Sequence, residues 1–508
     1  MNTQTKAPPM NDRSIRQGMT WVTWSAIAAM GGLALVLLSA LAFRSSLTYQ
    51  INYNEGWNAY FVQRVLTGLP LYPGDSEAII NNYPPLSFYL VAALSVLTGD
   101  IPLAGRLMSW AAFLGCTLTI GGLLGRMGCR WIGILCGAVV WAALMTIRFD
   151  LYVGMFDPQM TAHCVMLVGF HLLLGRPPNT RLRILCSAAL VVTAGAIKHN
   201  ILALPITIVI WLVFYHRQIL FVWLIGAVSV ALVQLAIFQY AFGSELIHGI
   251  TAARRYLLSF AYTKMVNWIG PIAPLLGIAA VPAFIAPRDP FAVLIGLYMV
   301  LALAVGCLGA AGEITNYNII FDVAISASLG IGYLVGRPGT LAEPSTDRSD
   351  RVTQSGLATW GSVFCAFSLL LAGAQVADAT TTNPGRWLAR ERMREADAAK
   401  TIQFIASRPG PAICEPLMIC FWAGKPFVLD PFNYGQAVLA GTRDPAALLA
   451  ELRAHRYSVI QADLAQTFLP PAIVAAIAEH YRPVGDMNGI HVPATPNSER
   501  PVGAVPTR

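Results

Sequence analysis

Long stretches without a single charge decide what this chain can fold into. Trp21–Phe43, Leu107–Gly125, Gln218–Phe242 and Gly356–Val376 are each uncharged. Each is long enough to cross a bilayer core, which takes about 20 apolar residues as a helix. Only 12% of the 508 residues are charged and 56% are hydrophobic, against about a quarter charged in ordinary soluble domains. That excludes a soluble globular protein and predicts a polytopic α-helical membrane protein.

The formal charge is +8. In a membrane chain, basic residues report orientation rather than an acidic partner, so nucleic acid is not indicated. Cys116, Cys129, Cys136, Cys164, Cys186, Cys307 and Cys365 lie in or beside apolar runs, where cysteine acts as a small hydrophobe. They point to neither a disulfide framework nor a zinc site.

Lys6, Arg13 and Arg16 precede the first apolar run, which exceeds the roughly 7–15 residues of a signal-peptide core. It reads as an uncleaved first span behind a cytoplasmic tail, residues 1–20. The alternative is cleavage at the small-x-small pattern Ala40-Leu41-Ala42. With the N-terminus inside, spans follow over 106–125, 131–147, 159–175, 184–197, 201–215, 218–242, 265–286, 291–312, 317–336 and 356–376. Residues 84–98 are short for a crossing and read as an interfacial or re-entrant helix. The total is about eleven spans. It places Arg126, Arg130, Arg176, Arg181, Arg183, Arg217, Arg288, Arg337, Arg348 and Arg351 inside, as the positive-inside bias asks. Arg44, Arg64, Arg106, Arg148, Lys198, Arg254, Arg255 and Lys264 fall outside. They run against the bias, so they become candidates for function, with snorkelling at helix ends the plainer reading of Arg44 and Arg106.

The membrane domain is thus expected over 21–376, with a first outer loop at 44–83. Past Val376 the pattern turns soluble, and 377–508 reads as a small extracytoplasmic α/β domain. Strands are expected at Ala412–Glu415 and Tyr457–Gln461, and helices at Arg386–Ala406, Pro445–His455 and Pro471–His480. No Gly-rich phosphate loop is seen there. Cys414 and Cys420 lie where oxidation is open to them, so a disulfide is one reading.

The first outer loop is dense in functional side chains, with Asn54, Glu55 and Arg64 set among aromatics over 52–64. A second acidic segment carries Asp150 and Asp157. An outward cleft with two carboxylates and several bases suits a phosphate-bearing substrate. One carboxylate takes the proton of an attacking hydroxyl, and Arg or Lys neutralises the departing phosphate. Alternatively, Glu55 and Asp157 hold Mg²⁺ or Mn²⁺ for the same purpose.

Glu55-Gly56, Gly68-Leu69-Pro70-Leu71-Tyr72 and Asn82-Tyr83-Pro84-Pro85-Leu86 with Tyr89 resemble the first-loop pattern of the GT-C membrane glycosyltransferases. The nearest branch includes the protein mannosyltransferase-like enzymes, the lipid A aminoarabinose transferase and the rhizobial galacturonosyltransferases. The resemblance runs over roughly 20–335, through Asp157-Pro158, Lys198, and Asn318 with Asp322. It implies transfer of a sugar from a polyprenyl-phosphate donor to a hydroxyl of a glycan, lipid or protein on the outer face of the plasma membrane. Glu55 then takes the catalytic-base or metal position and Asp157 the second acidic position, with Asp150 as fallback. Some relatives carry a lysine before the Pro-Pro pair, where this chain has Tyr83. Lys198, Arg64, Arg254, Arg255 and Lys264 therefore compete for the donor phosphate. Asn54, Tyr83, Asn318 and Asp322 are the expected substrate contacts.

Each residue also has a plainer reading. Asp157 can simply cap the helix that Pro158 begins, and Arg254, Arg255 and Lys264, interleaved with aromatics, can bind lipid headgroups. Asn318 and Asp322 can be a structural polar pair, and His163 and His171 packed polar residues rather than metal ligands. A transporter or flippase for a lipid-linked or anionic solute is the rival function, although no convincing internal repeat supports it. An inactive relative with a partner-binding tail is the third.

Overall fold

The computed structural model describes residues 12–74, 77–175, 180–252, 254–337, 363–364, 384–485, 487 and 489–494, with side chains from Trp21 onward. Apart from 363–364, the expected span 356–376 lies outside the described residues, as do Arg176, Arg348 and Arg351.

The chain groups into two compact units that interleave along the sequence. One comprises 1–46, 83–243 and 256–390; the other comprises 47–82, 244–255 and 391–508. In chain order the helices are α1 (Asp12–Ser45), α2 (Tyr53–Thr67), α3 (Leu86–Thr98), α4 (Ile101–Arg126), α5 (Trp131–Ile147), α6 (Pro158–Leu173) and α7 (Arg181–Ile197). They continue with α8 (Ala203–Tyr215), α9 (Arg217–Phe242), α10 (Glu245–Ile250), α11 (Leu258–Ile269), α12 (Ala273–Ile285), α13 (Pro290–Ala310) and α14 (Phe321–Gly336).

Among the described residues the first unit is built of helices, which satisfy their own backbone as a segment in lipid must. Six stretches among the described residues are long and apolar enough to cross a membrane: Trp21–Ser45, Ile101–Arg126, Arg217–Phe242, Leu258–Ile285, Pro290–Ala310 and Tyr317–Gly336. The expected spans at 131–147, 159–175, 184–197 and 201–215 form helices of 17, 16, 17 and 13 residues, below the usual length of about 20. The expected short helix at 84–98 is α3, 13 residues long.

At the centre of this unit is α14, buried along its whole length against α5, α12 and α13. Small residues make that possible. A side chain at Gly133 would meet the Gly332 carbonyl oxygen at 2.4 Å, and one at Gly330 the Ala279 carbonyl oxygen at 2.2 Å. Backbones approach so closely only where no Cβ intervenes.

The second unit holds a four-stranded sheet in the order β1-β2-β4-β3, with β1 (Ala412–Cys414), β2 (Val459–Gln461), β3 (Tyr481–Pro483) and β4 (Ile490–Pro493). The β1–β2 pair is parallel, matching Ala412 with Val459, and the other pairs are antiparallel. Around it lie most of α15 (Pro384–Ala406), then α16 (Leu417–Trp422), α17 (Pro431–Leu439), α18 (Ala446–Arg453) and α19 (Pro471–His480). The buried side chains of Ile413, Leu452, Ile460, Ile473 and Ile477 form its core. The first-loop helix α2 belongs to this same unit.

Directly after β1, a Cys414–Cys420 disulfide closes a loop of sequence separation 6 and fixes α16. Against α16 lies Gly56 of α2, where a Cβ would meet the Met418 nitrogen at 2.3 Å. Removing the bridge with Cys414→Ser/Cys420→Ser should cost about 2 kcal/mol from the loop entropy of so short a ring. Thermal unfolding of detergent-solubilised protein with and without reductant checks this; no difference between wild type and variant under oxidising conditions would count against the bridge.

Candidate functional site

The candidate residues divide between the two units. In the second unit, Asn52 caps α2 by accepting from the Asn54 N–H at 3.2 Å. The cap sets Glu55 in the first turn, where it is 0% exposed and takes the Ile51 N–H on Oε2 at 2.7 Å. A glutamate in so closed a position is held in one geometry, as a catalytic base needs.

What holds α2 is Asp430, also fully buried. Its Oδ1 accepts from the Tyr53 hydroxyl at 2.7 Å and the Asn433 N–H at 3.0 Å. Its Oδ2 accepts from Trp57 Nε1 at 2.9 Å and Asn433 Nδ2 at 2.7 Å. Tyr53 and Trp57 flank Glu55 two residues away on either side, so one carboxylate grips α2 around the candidate base. Tyr60, a turn further on, donates to the Lys425 carbonyl at 2.9 Å and stacks on Phe427 at 4.6 Å.

Arg64 lies at the other end of α2. Its guanidinium forms a bidentate pair with Glu77, both contacts at 2.8 Å, and Nε donates to the Pro70 carbonyl at 2.7 Å. The structure therefore uses Arg64 to fasten the first loop. Arg254 places its guanidinium 5.5 Å from the centre of the Phe432 ring, and Arg255 is exposed.

In the first unit, Lys198 ends α7. It is 3% exposed, and its ammonium lies 3.2 Å from the centre of the Tyr83 ring. An aromatic face attracts a desolvated cation by about 2 kcal/mol or more. Asp157 caps α6, as its plainer reading predicts, taking the Gln159 N–H on Oδ1 at 2.8 Å. The neighbouring Tyr152 phenol is pushed well up, by burial first and then by the Asp157, Tyr83 and Tyr317 side chains. Tyr152 thus marks a common neighbourhood for Asp157 and Tyr83. Asp150 is tied to Arg44, through a main-chain hydrogen bond at 2.7 Å and an ion pair at 3.4 Å.

From Gln159 a buried polar chain leads inward. Its Oε1 accepts from Asn318 Nδ2 at 3.2 Å. Its carbonyl takes the Nδ1 hydrogen of His163 at 2.9 Å, because a carbonyl can only accept. The opposite ring nitrogen faces Asp322 at 3.5 Å, and the other Asp322 oxygen accepts from the Tyr298 hydroxyl at 2.5 Å. Asn318 and Asp322 therefore join Asp157 through Gln159 and His163. Lys264 is engaged elsewhere, donating to the Gly312 carbonyl at 2.5 Å and Thr315 Oγ1 at 2.9 Å.

Among the described residues, no group of three or more His, Cys, Asp or Glu side chains could hold a metal ion. Sequence reasoning gave no individual role to Gln159, Tyr152 or Asp430. For Asp430 a signal was present: Asp-Pro opens a helix here as it does at Asp157 and Asp289.

Two expectations follow. Burial, the largest influence on Asp430, raises its carboxyl above the ordinary value while its donors pull it down. The folded state then binds the proton to higher pH than the unfolded state, so this group's contribution to stability falls as pH rises from about 4 through the raised value. Asp430→Asn should flatten that slope and cost about 1–3 kcal/mol near neutrality, because an amide accepts at only one of the two oxygen positions. Unfolding midpoints across that pH range test both. In the first unit, Asp322→Asn and His163→Leu should couple by about 0.5–3 kcal/mol in a double-mutant cycle; strict additivity would show that the pair is not an interacting one.

No family model matches the sequence, nor does any curated protein at the sequence level. Solved structures do match. The crystal structure of ArnT from Cupriavidus metallidurans bound to undecaprenyl phosphate aligns with TM-score 0.56 at 11% identity, covering 91% of this chain and 98% of that one. The apo state of the same protein aligns with TM-score 0.53 at 13% identity, covering 88% and 94%. The fold expected from the resemblance to GT-C enzymes is the fold found: this chain is built like the aminoarabinose transferase ArnT.

Proposed function

We propose that this chain is an integral membrane glycosyltransferase that moves a sugar from a polyprenyl-phosphate donor to a hydroxyl acceptor on the extracytoplasmic face. The acceptor class is an envelope glycan, glycolipid or protein. The observation that carries this reading is Lys198, a lysine buried at the end of an apolar helix with its ammonium on the Tyr83 ring. A cation buried among apolar helices marks a functional position by default, and the similarly folded ArnT was crystallised with undecaprenyl phosphate. Tyr83 occupies the place of the lysine in some relatives, and Lys198 brings the positive charge to it from α7.

In this reading Glu55 is the base. The acceptor oxygen attacks the anomeric carbon and its proton passes to Glu55. The bond from that carbon to the phosphate oxygen breaks, and the lipid phosphate leaves with the electron pair, its charge met by Lys198. One displacement inverts the anomeric centre. Asp157 positions the loop before α6, and Tyr83, Asn54 and Asn318 contact substrate. Arg254, Arg255 and Lys264 remain further candidates for the phosphate, each next to aromatic or loop surface. About eleven crossings of the inner membrane, with the N-terminus cytoplasmic and 377–508 outside, complete the proposal.

Mass spectrometry of envelope glycolipids from cells with wild-type protein, a deletion, Glu55→Gln and Lys198→Met tests it. Deletion and Glu55→Gln should both lose the same sugar mass, the latter by about 10²–10⁴ in rate. Lys198→Met should also reduce it, whereas normal decoration in Glu55→Gln would remove the base assignment. If lipid-linked sugar vanishes from the outer leaflet in the deletion, the protein is a carrier instead.

A further inference from the structure

A cavity of about 380 Å³ lies wholly within the second unit, in the size range of small-molecule sites. Three segments wall it: Tyr72–Gly74 with 79–81 of the first loop, α10 with Thr251 and Ala252, and the turn carrying Thr442 and Arg443. No helix long enough to span a membrane contributes a wall.

The walls are fixed. Arg443 donates through Nη2 to the carbonyls of Gly74 and Glu77 at 3.3 and 2.8 Å. On α10, Gly249 lies against the first loop so closely that a Cβ would meet the Asn81 carbonyl oxygen at 2.3 Å. Glu245 reaches in from the other end of α10, its Oε2 2.5 Å from where a Cβ on Gly74 would be. Gly74 itself has φ of 64°, a conformation that suits glycine. The cavity is therefore a built shape and not a gap between loosely packed loops.

Its chemistry is that of hydroxyl recognition. Glu245 accepts, Arg443 donates and the His248 imidazole does both, while Asn81 Nδ2 is engaged with the Leu71 carbonyl at 3.3 Å. The Tyr72 ring offers an apolar face. One carboxylate and one guanidinium cancel in charge, and the guanidinium already serves two carbonyls, so a phosphate or other dianion is disfavoured. The volume admits a pyranose ring with its substituents.

We infer that this cavity binds a neutral pyranose of the acceptor glycan, apart from the residues assigned to the transfer itself. The inference rests on the proposed transferase function. An acceptor glycan is the substrate that comes through water, and every wall is a soluble-type segment; the lipid-linked donor is held by its phosphate.

The test is saturation-transfer NMR on full-length protein in nanodiscs with methyl α-D-mannopyranoside and methyl α-D-galactopyranoside, beside D-galacturonate and inorganic phosphate. At least one neutral pyranoside should receive saturation from wild type and equally from Glu55→Gln. Ala252→Trp, which fills the cavity without deleting a polar group, and Glu245→Gln should each weaken it roughly tenfold, as for one lost hydrogen bond or more. Unfolding midpoints identify a variant that fails to fold, and the two variants act differently, one by filling space and the other by removing a charge. Absence of transfer to both pyranosides, unchanged transfer in both variants, or binding of the anions alone would overturn the inference. If cells show Glu55-dependent sugar addition while neither pyranoside binds, the inference falls and the transferase stands. If a pyranoside binds in the cavity but no sugar is added in cells, the transferase reading falls and a sugar-binding site remains.

Discussion

Much of the second unit depends on the four hydrogen bonds accepted by the buried Asp430 carboxylate. A charge taken from water costs several kcal/mol unless its lone pairs are met, and here Tyr53, Trp57 and both nitrogens of Asn433 meet them. Because two of those donors flank Glu55, the penalty for displacing α2 is the exposure of a buried, unpaired carboxylate. Glu55 is thereby confined through its neighbours on the helix. Gly56 completes the arrangement: with hydrogen as its side chain, α2 can rest on the Met418 backbone, and the disulfide fixes the segment beneath.

The first unit is governed by a different constraint. Hydrocarbon supplies no hydrogen bonds, so the polar groups inside must satisfy one another. Glycines let α5 and α14 approach at backbone distance, and one set of buried polar side chains lines up as Gln159, His163, Asp322 and Tyr298. That line ends at the Asp157 cap, which links a packed interior to a loop where substrate chemistry is proposed. Lys198 and Tyr83 follow the same logic, with the ring standing in for part of the water that the ammonium gives up.

The helical stretches were legible because apolar runs of this length have few other uses, and the strands near 412 and 459 because β-branched and small apolar residues sit between turn signals. The hairpin β3–β4 was not legible: three or four residues per strand leave too little alternation to read. Nor was the interleaving of the units. Tyr53 and Asp430 are separated by 377 positions, and no local pattern reports a contact at that distance. Arg64 shows the same limit. Its charge on the outer side argued for a substrate anion, but Glu77, 13 residues on, is not at a helical spacing that sequence reading would pair with it.

The first loop shows why its residues read as functional before any geometry was known. A loop that only joined two spans would need neither a fully buried glutamate nor a carboxylate from the far end of the chain to hold it. The elements that fix α2 act on its backbone and aromatic faces, while Glu55 receives an N–H from Ile51, two residues before the helix. Rigidity is thus supplied from outside the candidate site.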